Sequence, residues 1–191
     1  IATIFGQAEF FADSMREVLA AVKQATGCDA VGLRLKNGED FPYLATEGFS
    51  SGFLVAEHSL LERDAQGDVC RNPDGTPRLE CTCGLVLGGK TDPGNPLFTA
   101  GGSAWTNDSF PLLEVPADAD PRLNPRNRCI HEGYASVALV PVRVKGEIAG
   151  LLQINGKDRD LFSRGSVEAL EGVAAQIGEA ATAAQFPILQ V

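Results

Sequence analysis

Cysteine is the residue type with the greatest chemical potential in this chain of 191 residues, which contains five cysteines and two histidines. Cys81 and Cys83 stand two positions apart, and in an extended segment such positions point to the same side. Their thiolates could bind one ion, whereas a disulfide across one intervening residue would be strained. Cys70 lies upstream of them, and a predicted turn at residues 72–77 could fold it back toward Cys81 and Cys83. Cys129 lies downstream. Together the four predict a tetrahedral zinc site or an iron–sulfur cluster, and the sequence does not choose between them.

Other interpretations of these cysteines stay open. The thiols could undergo redox chemistry, pair as disulfides on oxidation, or be inert. A haem would take a cysteine thiolate or His131 as its axial ligand, although no Cys-x-x-Cys-His attachment motif is present. His131 otherwise fits a fourth metal ligand or a hydrogen-bonded loop histidine, and His58 fits a solvated side chain. Cys28 follows a predicted helix and fits a buried apolar thiol.

Aromatic and basic residues in the same region are candidates for binding a cofactor. Trp105 is the only tryptophan, and it could wall a pocket together with Phe98 and Tyr134 or cap the core. The chain's one basic patch consists of Arg122, Arg126 and Arg128. These arginines would contact an anionic ligand, balance thiolate charge or, as is commoner for loop arginines, remain exposed. No phosphate loop, dinucleotide fingerprint or Gly-x-Ser-x-Gly elbow is present, so we expect a regulatory domain and not an enzyme.

Helix and strand patterns at both ends of the chain must position these residues. Apolar side chains at helical spacing predict a first helix that stops at Gly27: Phe11, Met15, Val18, Leu19 and Val22. A strand over residues 30–35, the hairpin turn Asn37-Gly38 and a returning strand over residues 41–46 follow.

A second hairpin precedes the last helix. Its strands are predicted at residues 137–144 and 148–154, and Pro141 inside the first of them is a local conflict. Ser163 fits the N-cap of a final helix that continues to Ala184. Its apolar face is predicted to consist of Val167, Leu170, Val173, Ala174 and Ile177.

Between the hairpins, about residues 50–130 are rich in glycine, proline and polar residues, which predict turns and loops. A loop region of this length inside a compact domain is usually functional or disordered. The order helix, hairpin, insertion, hairpin, helix predicts an α+β fold, with a central antiparallel sheet and flanking terminal helices. We expect residues 1–191 to form a single domain of this kind.

Composition and charge narrow the function classes. The net charge of −9 disfavours nucleic acid and anionic lipid as partners, because both are bound through basic side chains. No apolar run approaches the roughly 20 residues of a membrane span. The odd number of cysteines disfavours a secreted disulfide framework. We therefore expect a cytoplasmic segment of a longer soluble protein.

The second hairpin and last helix resemble a GAF domain, through Ser-Val-Ala-Leu-Val-Pro-Val-Arg at residues 136–143 and Gly-Glu-Ile-Ala-Gly-Leu-Leu-Gln-Ile-Asn at residues 146–155. Residues 26–35 resemble the family's first helix-to-strand junction. The insertion is similar to a cysteine-containing subgroup of bacterial and archaeal sensor proteins. The matching text is Cys70, Cys-Thr-Cys-Gly at 81–84, Gly-Ser-Ala-Trp-Thr-Asn at 102–107, Arg-Asn-Arg-Cys at 126–129 and Glu-Gly-Tyr at 132–134.

The resemblance implies a sensory module with a pocket between the sheet and its overlying loops. It further implies terminal helices that pair in a homodimer and pass a signal to an output domain in the same chain, such as a histidine kinase or transcriptional regulator. The family's cyclic-nucleotide signature is absent. We therefore expect a small ligand or a cysteine-ligated metal or redox centre. The alternatives are a dimerisation module with a zinc-braced loop, and a thiol enzyme such as a sulfoxide reductase, an activity that some GAF-like proteins have.

Overall fold

The computed structural model describes residues 2–184, with side chains from residue 9 onward. Two long helices lie at the ends of this range, α1 (Ala2–Thr26) and α5 (Arg164–Ala183). Within the same range the strands form an antiparallel sheet in the order β2-β1-β5-β4-β3. The strands are β1 (Ala30–Leu35), β2 (Tyr43–Glu47), β3 (Ala104–Thr106), β4 (Ser136–Val144) and β5 (Glu147–Gly156). This is the α+β architecture that the sequence predicts.

The two long helices end where local sequence signals place their caps. Gly27 adopts a left-handed φ of 69° and its N–H donates to the carbonyl of Lys23, which closes α1. At the start of α5, the Ser163 hydroxyl accepts a hydrogen bond from the N–H of Ser166 at 3.1 Å, and the Ser166 hydroxyl in turn accepts from the N–H of Ser163. Both predicted caps are confirmed.

One face of the sheet packs against α1 and α5 and forms the main core. The apolar stripe of α1, including Met15 and Leu19, and that of α5, including Leu170 and Ile177, lie in one buried cluster with side chains from β1, β4 and β5. Cys28 belongs to this cluster, as the sequence predicts for an apolar thiol. The terminal helices thus cover one face and leave the other to the insertion.

The insertion has more regular structure than the sequence predicts. It contains α2 (Ser51–Ala56), α3 (Cys81–Leu87), a 3-10 helix over Phe110–Leu113, α4 (Arg128–His131) and the edge strand β3. The prediction of loops is therefore wrong for these segments, because short helices and a three-residue strand are too brief to show periodicity. Buried residues of α3 pack with Leu139 and Leu151 and cover the second face of the sheet.

Pro141 lies in β4 without disrupting the sheet. Strand β3 pairs with β4 only from Val137 to Leu139, so the side of β4 that faces β3 has no strand partner at Pro141. The missing N–H therefore costs no ladder hydrogen bond on that side. No helix among residues 2–184 has the length and apolar character that crossing a bilayer requires.

Candidate functional site

A cavity of about 240 Å³ lies between the second face of the sheet and the insertion. Strands β3 and β4 contribute its floor, which includes Ala104 and Leu139, and helices α3 and α4 contribute walls. Cys81, Cys83 and Cys129 all line it. The structure thus brings three of the four predicted site cysteines to one cavity.

Cys81 begins helix α3 in a backbone conformation that is rare for a side-chain-bearing residue. Its φ is 62°, in the left-handed region, and its N–H donates to the carbonyl of Leu123 at 2.8 Å. The Cys81 Sγ accepts a hydrogen bond from the backbone N–H of Arg126 at 3.0 Å. Burial raises the pKa of the Cys81 thiol even though the backbone N–H groups of Asn127 and Arg126 favour the thiolate. Segment 123–127 is therefore held over the start of α3.

Cys83 is the most deeply enclosed thiol of the cavity. It is buried in the cluster that covers the second face of the sheet, and burial raises the pKa of its thiol far above the ordinary value. The prediction that Cys81 and Cys83 share an extended segment is wrong, because both lie in α3. Successive positions in a helix turn by about 100°, so residues two apart point to nearly opposite sides.

Cys129 lies in α4 and faces buried amides from β5. The Gln153 side-chain N–H donates to Cys129 Sγ at 3.3 Å, and the Tyr43 hydroxyl donates to Gln153 Oε1 at 2.8 Å. Burial raises the pKa of Cys129 to about 12, and a hydrogen bond from Asn155 opposes the rise. At neutral pH this thiol is uncharged, so it packs as a weakly polar group and not as an anion.

Cys70 lies apart from the other three. The strand-like segments of residues 61–79 fold back on themselves, so that the N–H of Cys70 donates to the carbonyl of Glu62 and its carbonyl accepts from the N–H of Arg78. The charges that act on its thiol come from Glu62, Asp64, Arg78 and Glu80. Within residues 2–184, no group of three or more His, Cys, Asp or Glu residues is gathered closely enough to hold a metal ion. The four-cysteine centre remains a prediction, and this arrangement does not fit it.

The predicted cofactor-binding residues separate into two groups. Phe98 lines the cavity and belongs to the cluster on the second face of the sheet. Trp105 borders the cavity, but it pairs with Ala138 and its side chain packs on the core of α1 and α5, where its Nε1 is buried without a hydrogen-bond partner. Tyr134 lies outside the cavity lining, packed edge-on against Phe53 with ring centroids 6.1 Å apart. His131 ends α4 with its side chain exposed, also outside the lining, and His58 is exposed as the sequence predicts.

The basic patch is neutralised by its own neighbours. Arg122 is 8% exposed and is bound to Asp120 at 2.6 Å, so the expectation of exposed loop arginines is wrong at this position. Arg126 contacts the carboxylates of Glu57 at 3.2 Å and Glu80 at 3.0 Å. Arg128 pairs with Glu132 at 2.8 Å. Each arginine therefore fixes part of the insertion by an ion pair.

Sequence patterns missed the buried cation behind this site, Arg34 of β1. Its side chain is 0% exposed and donates to the carbonyls of Phe41 at 2.8 Å and Glu57 at 2.5 Å. The guanidinium carbon lies 3.6 Å from the centroid of the Tyr43 ring. A Cβ on Gly32 would come within 2.7 Å of the same ring, so that glycine leaves room for the stack. A charged residue inside an otherwise apolar strand was the available signal.

A wider groove of about 1540 Å³ lies beside the hairpin of residues 71–79. Lys36, Arg71 and Lys90 are among its lining residues, and none of the predicted cysteine or aromatic site residues lines it. The smaller cavity is therefore the one that the predicted chemistry shares.

Comparison with known proteins supports the fold that this geometry suggests. The GAF domain model matches residues 12–181. A GAF domain region of a putative membrane protein from Geobacter sulfurreducens has a TM-score of 0.62 at 18% identity, covering 94% of this chain and 98% of that one. A domain of a putative two-component sensor histidine kinase from Sinorhizobium meliloti has a TM-score of 0.56 at 14% identity, covering 91% of this chain and 92% of that one.

An enzyme also shares the fold. The type II free methionine-R-sulfoxide reductase from Thermoplasma acidophilum has a TM-score of 0.57 at 16% identity, covering 91% of this chain and 94% of that one. No match was found among curated proteins. The cysteine-containing subgroup stays a prediction. Because the family model spans most of the chain, the protein belongs to the GAF domain family.

Proposed function

We propose that this GAF domain is a sensory domain of a larger cytoplasmic signalling protein and that it binds a small ligand in the cavity over β3 and β4. The observation that carries the proposal is the cavity itself, which lies between the insertion and the sheet and is lined mainly by apolar side chains such as Phe98 and Leu139. Its volume of about 240 Å³ lies just below the range of roughly 300–1,000 Å³ for typical ligand pockets. The ligand is therefore small.

The arrangement of the thiols favours a ligand over a four-cysteine metal centre. Cys81 and Cys83 stand two positions apart in α3, so they point to nearly opposite sides of the helix. Cys70, the fourth thiolate of the predicted centre, lies outside the cavity lining. A zinc or iron–sulfur centre held by all four cysteines would need these thiols to be rearranged.

Signal transfer would follow from a population shift. A ligand that interacts differently with two arrangements of the insertion changes their populations and so biases the terminal helices. In this proposal α1 and α5 pair with those of a second copy and lead to an output domain, such as the kinase named for the neighbour from Sinorhizobium meliloti.

Leu139 provides a direct test of cavity occupancy, because its side chain lies in the cluster on the cavity face of β4. Its methyl groups give signals in an assigned carbon-13 correlation spectrum. Small-molecule fragments that bind the cavity should shift these signals. Ala104→Leu fills the cavity and should weaken binding at least about tenfold, a change of roughly 1.4 kcal/mol. Ala119→Leu, at an exposed position, should leave affinity unchanged. Fragments that bind equally to both variants would contradict the proposal.

A thiol enzyme is the second candidate, favoured by three thiols at one cavity and by the reductase neighbours. In such a reaction the sulfoxide oxygen leaves as water while two thiols are oxidised to a disulfide. The raised pKa values oppose it, because the attacking species is a thiolate. Turnover of free methionine sulfoxide with dithiothreitol, lost in Cys129→Ser, would establish this activity. The absence of turnover with fragment binding intact would exclude it.

The remaining alternative is a dimerisation module braced by zinc. It predicts stoichiometric zinc in purified protein and loss of dimers when Cys81 and Cys83 are both replaced by serine. Elemental analysis and light scattering on the same sample test both points. Metal-free protein that still responds to a ligand would leave the sensory proposal standing alone.

A further inference from the structure

The cavity wall is continuous with a short hairpin that extends beyond the cavity. Phe98 and Ala104 line the cavity from the two arms of this hairpin. Phe98 pairs with Ala104, and the N–H of Trp105 donates to the carbonyl of Leu97 at 2.8 Å. The tip, residues 99–103, is defined here as the 99–103 turn. Because main-chain hydrogen bonds join the arms, a displacement of the Phe98 ring displaces the turn.

The 99–103 turn contacts helix α5 through the carboxylate of Glu171. The hydroxyls of Thr99 and Ser103 both donate to Glu171 Oε1, the second at 2.6 Å. Both hydroxyl-bearing residues are almost completely buried, so the bonds are shielded from competing water. A Cβ on Gly101 would collide with the same carboxylate, which explains why a glycine stands at the point of closest approach.

Glu171 is next to the core-facing side of α5. Its neighbour Leu170 is buried in the cluster that joins α5 to the sheet. The turn therefore contacts the helix in its middle turns and not at a frayed end. This gives a path of hydrogen bonds from the cavity wall, around the edge of the sheet, to the last helix that the structure describes.

We infer that Glu171 couples occupancy of the cavity to helix α5, because it accepts hydrogen bonds from both ends of the turn that the cavity wall carries. This inference rests on the proposed ligand-binding function. An occupant that shifts Phe98 moves the two hydroxyls relative to Glu171, and the strength of these bonds changes the local stability of α5. Glu171 is a positioning residue that never touches the ligand.

Benzene is a suitable probe, since apolar cavities that are large enough to hold it bind it. The experiment uses the whole 191-residue chain. The Leu139 methyl signals report occupancy, and hydrogen exchange of the α5 amides reports the helix. In the wild type, saturating benzene should change α5 exchange rates by about fivefold, the low end of typical site-to-site coupling.

Two variants break the contact differently. Glu171→Ala removes the acceptor, and Gly101→Ala displaces the carboxylate without removing it. Both should bind benzene with unchanged affinity and lose the α5 response. Glu171→Gln keeps a carbonyl acceptor and should retain the response. Glu168→Ala and Gly172→Ala, on the exposed side of α5, are the matched controls and should retain it as well.

The outcomes separate the two proposals. If benzene leaves the Leu139 methyl signals unchanged in the wild type, cavity binding fails and the coupling fails with it. If benzene shifts the signals but α5 exchange does not change, or changes equally in Glu171→Ala, only the coupling is overturned. A response lost in Glu171→Ala and Gly101→Ala and kept in Glu171→Gln is the expected result.

Discussion

Replacing Arg34 by methionine tests whether a buried cation holds the insertion against the sheet. Arg34 binds two carbonyls at 2.8 and 2.5 Å, one of them in Glu57, whose side chain lines the cavity. Hydrogen bonds from a charged donor contribute about 1.5–3 kcal/mol each, and a desolvated stack on an aromatic ring about 2 kcal/mol. The interactions lost therefore sum to roughly 5–8 kcal/mol.

An opposing term reduces this loss. Methionine fills similar space without a charge, so the variant recovers the several kcal/mol that desolvating a guanidinium costs. The net destabilisation is expected at about 3 kcal/mol. In urea, with a slope of about 2 kcal/mol/M, this lowers the unfolding midpoint by about 1.5 M at constant slope.

The control for Arg34 is Arg143→Met, at an exposed position of β4, which should change stability by less than about 0.5 kcal/mol. Arg34→Lys keeps the charge but loses the planar fork and the stack on Tyr43, so it should be at least as destabilised as Arg34→Met. Faster amide exchange at residues 57–60 should accompany both changes. A midpoint for Arg34→Met equal to that of Arg143→Met would refute the reasoning.

Three further predictions concern thiols, backbone and pH. Ellman's reagent at pH 8 should modify Cys70 first, in a fast phase of the reaction. The buried Cys129 has a pKa of about 12, so only about one in ten thousand of its thiols is ionised at this pH. Cys70→Ser should remove the fast phase, and Cys83→Ser should not. Gly48→Ala should lower the free energy of unfolding by more than about 2 kcal/mol, and Gly38→Ala by about 1 kcal/mol, as measured by urea denaturation. Both glycines have a positive φ, but only a Cβ at Gly48 collides with the carbonyl of Asp29. Burial raises the pKa of Glu57 above 4.5, so the folded state binds more protons than the unfolded state and the free energy of unfolding falls as pH rises from 4.5 through the folded pKa. Glu57→Gln should remove that part of the pH dependence. An unchanged profile of stability against pH would contradict this prediction.

Local signals were sufficient for the parts of the fold that have long periodic elements. Helix α5 and its cap at Ser163, and the strands on both sides of Lys145-Gly146, follow from spacing and turn chemistry. The structure of the insertion could not be predicted from local signals. Helix α3 is only seven residues long, and it is stabilised by packing on Leu139 and Leu151 and not by an amphipathic pattern of its own.

The candidate site shows the same division between local and long-range information. Cys81, Cys83 and Cys129 line one cavity, whereas Cys70 is held by main-chain hydrogen bonds within its own hairpin. Sequence spacing cannot report such pairing, which depends on register. Arg34 was missed because its partners, such as the carbonyl of Glu57, lie 23 residues away in the chain.

The sheet separates the cavity from the terminal helices, and this fixes how a signal could reach them. In β4, Leu139 faces the insertion while Ala138 and Val140 face α1 and α5, so a signal through the sheet would have to shift a close-packed strand. The route around the edge of the sheet requires only that the 99–103 turn move relative to Glu171. This movement changes hydrogen bonds to one carboxylate, which involves less free energy than repacking a strand. In the proposed mechanism the insertion therefore determines both what the cavity accepts and how its occupancy reaches α5, while the sheet serves as the rigid frame between them.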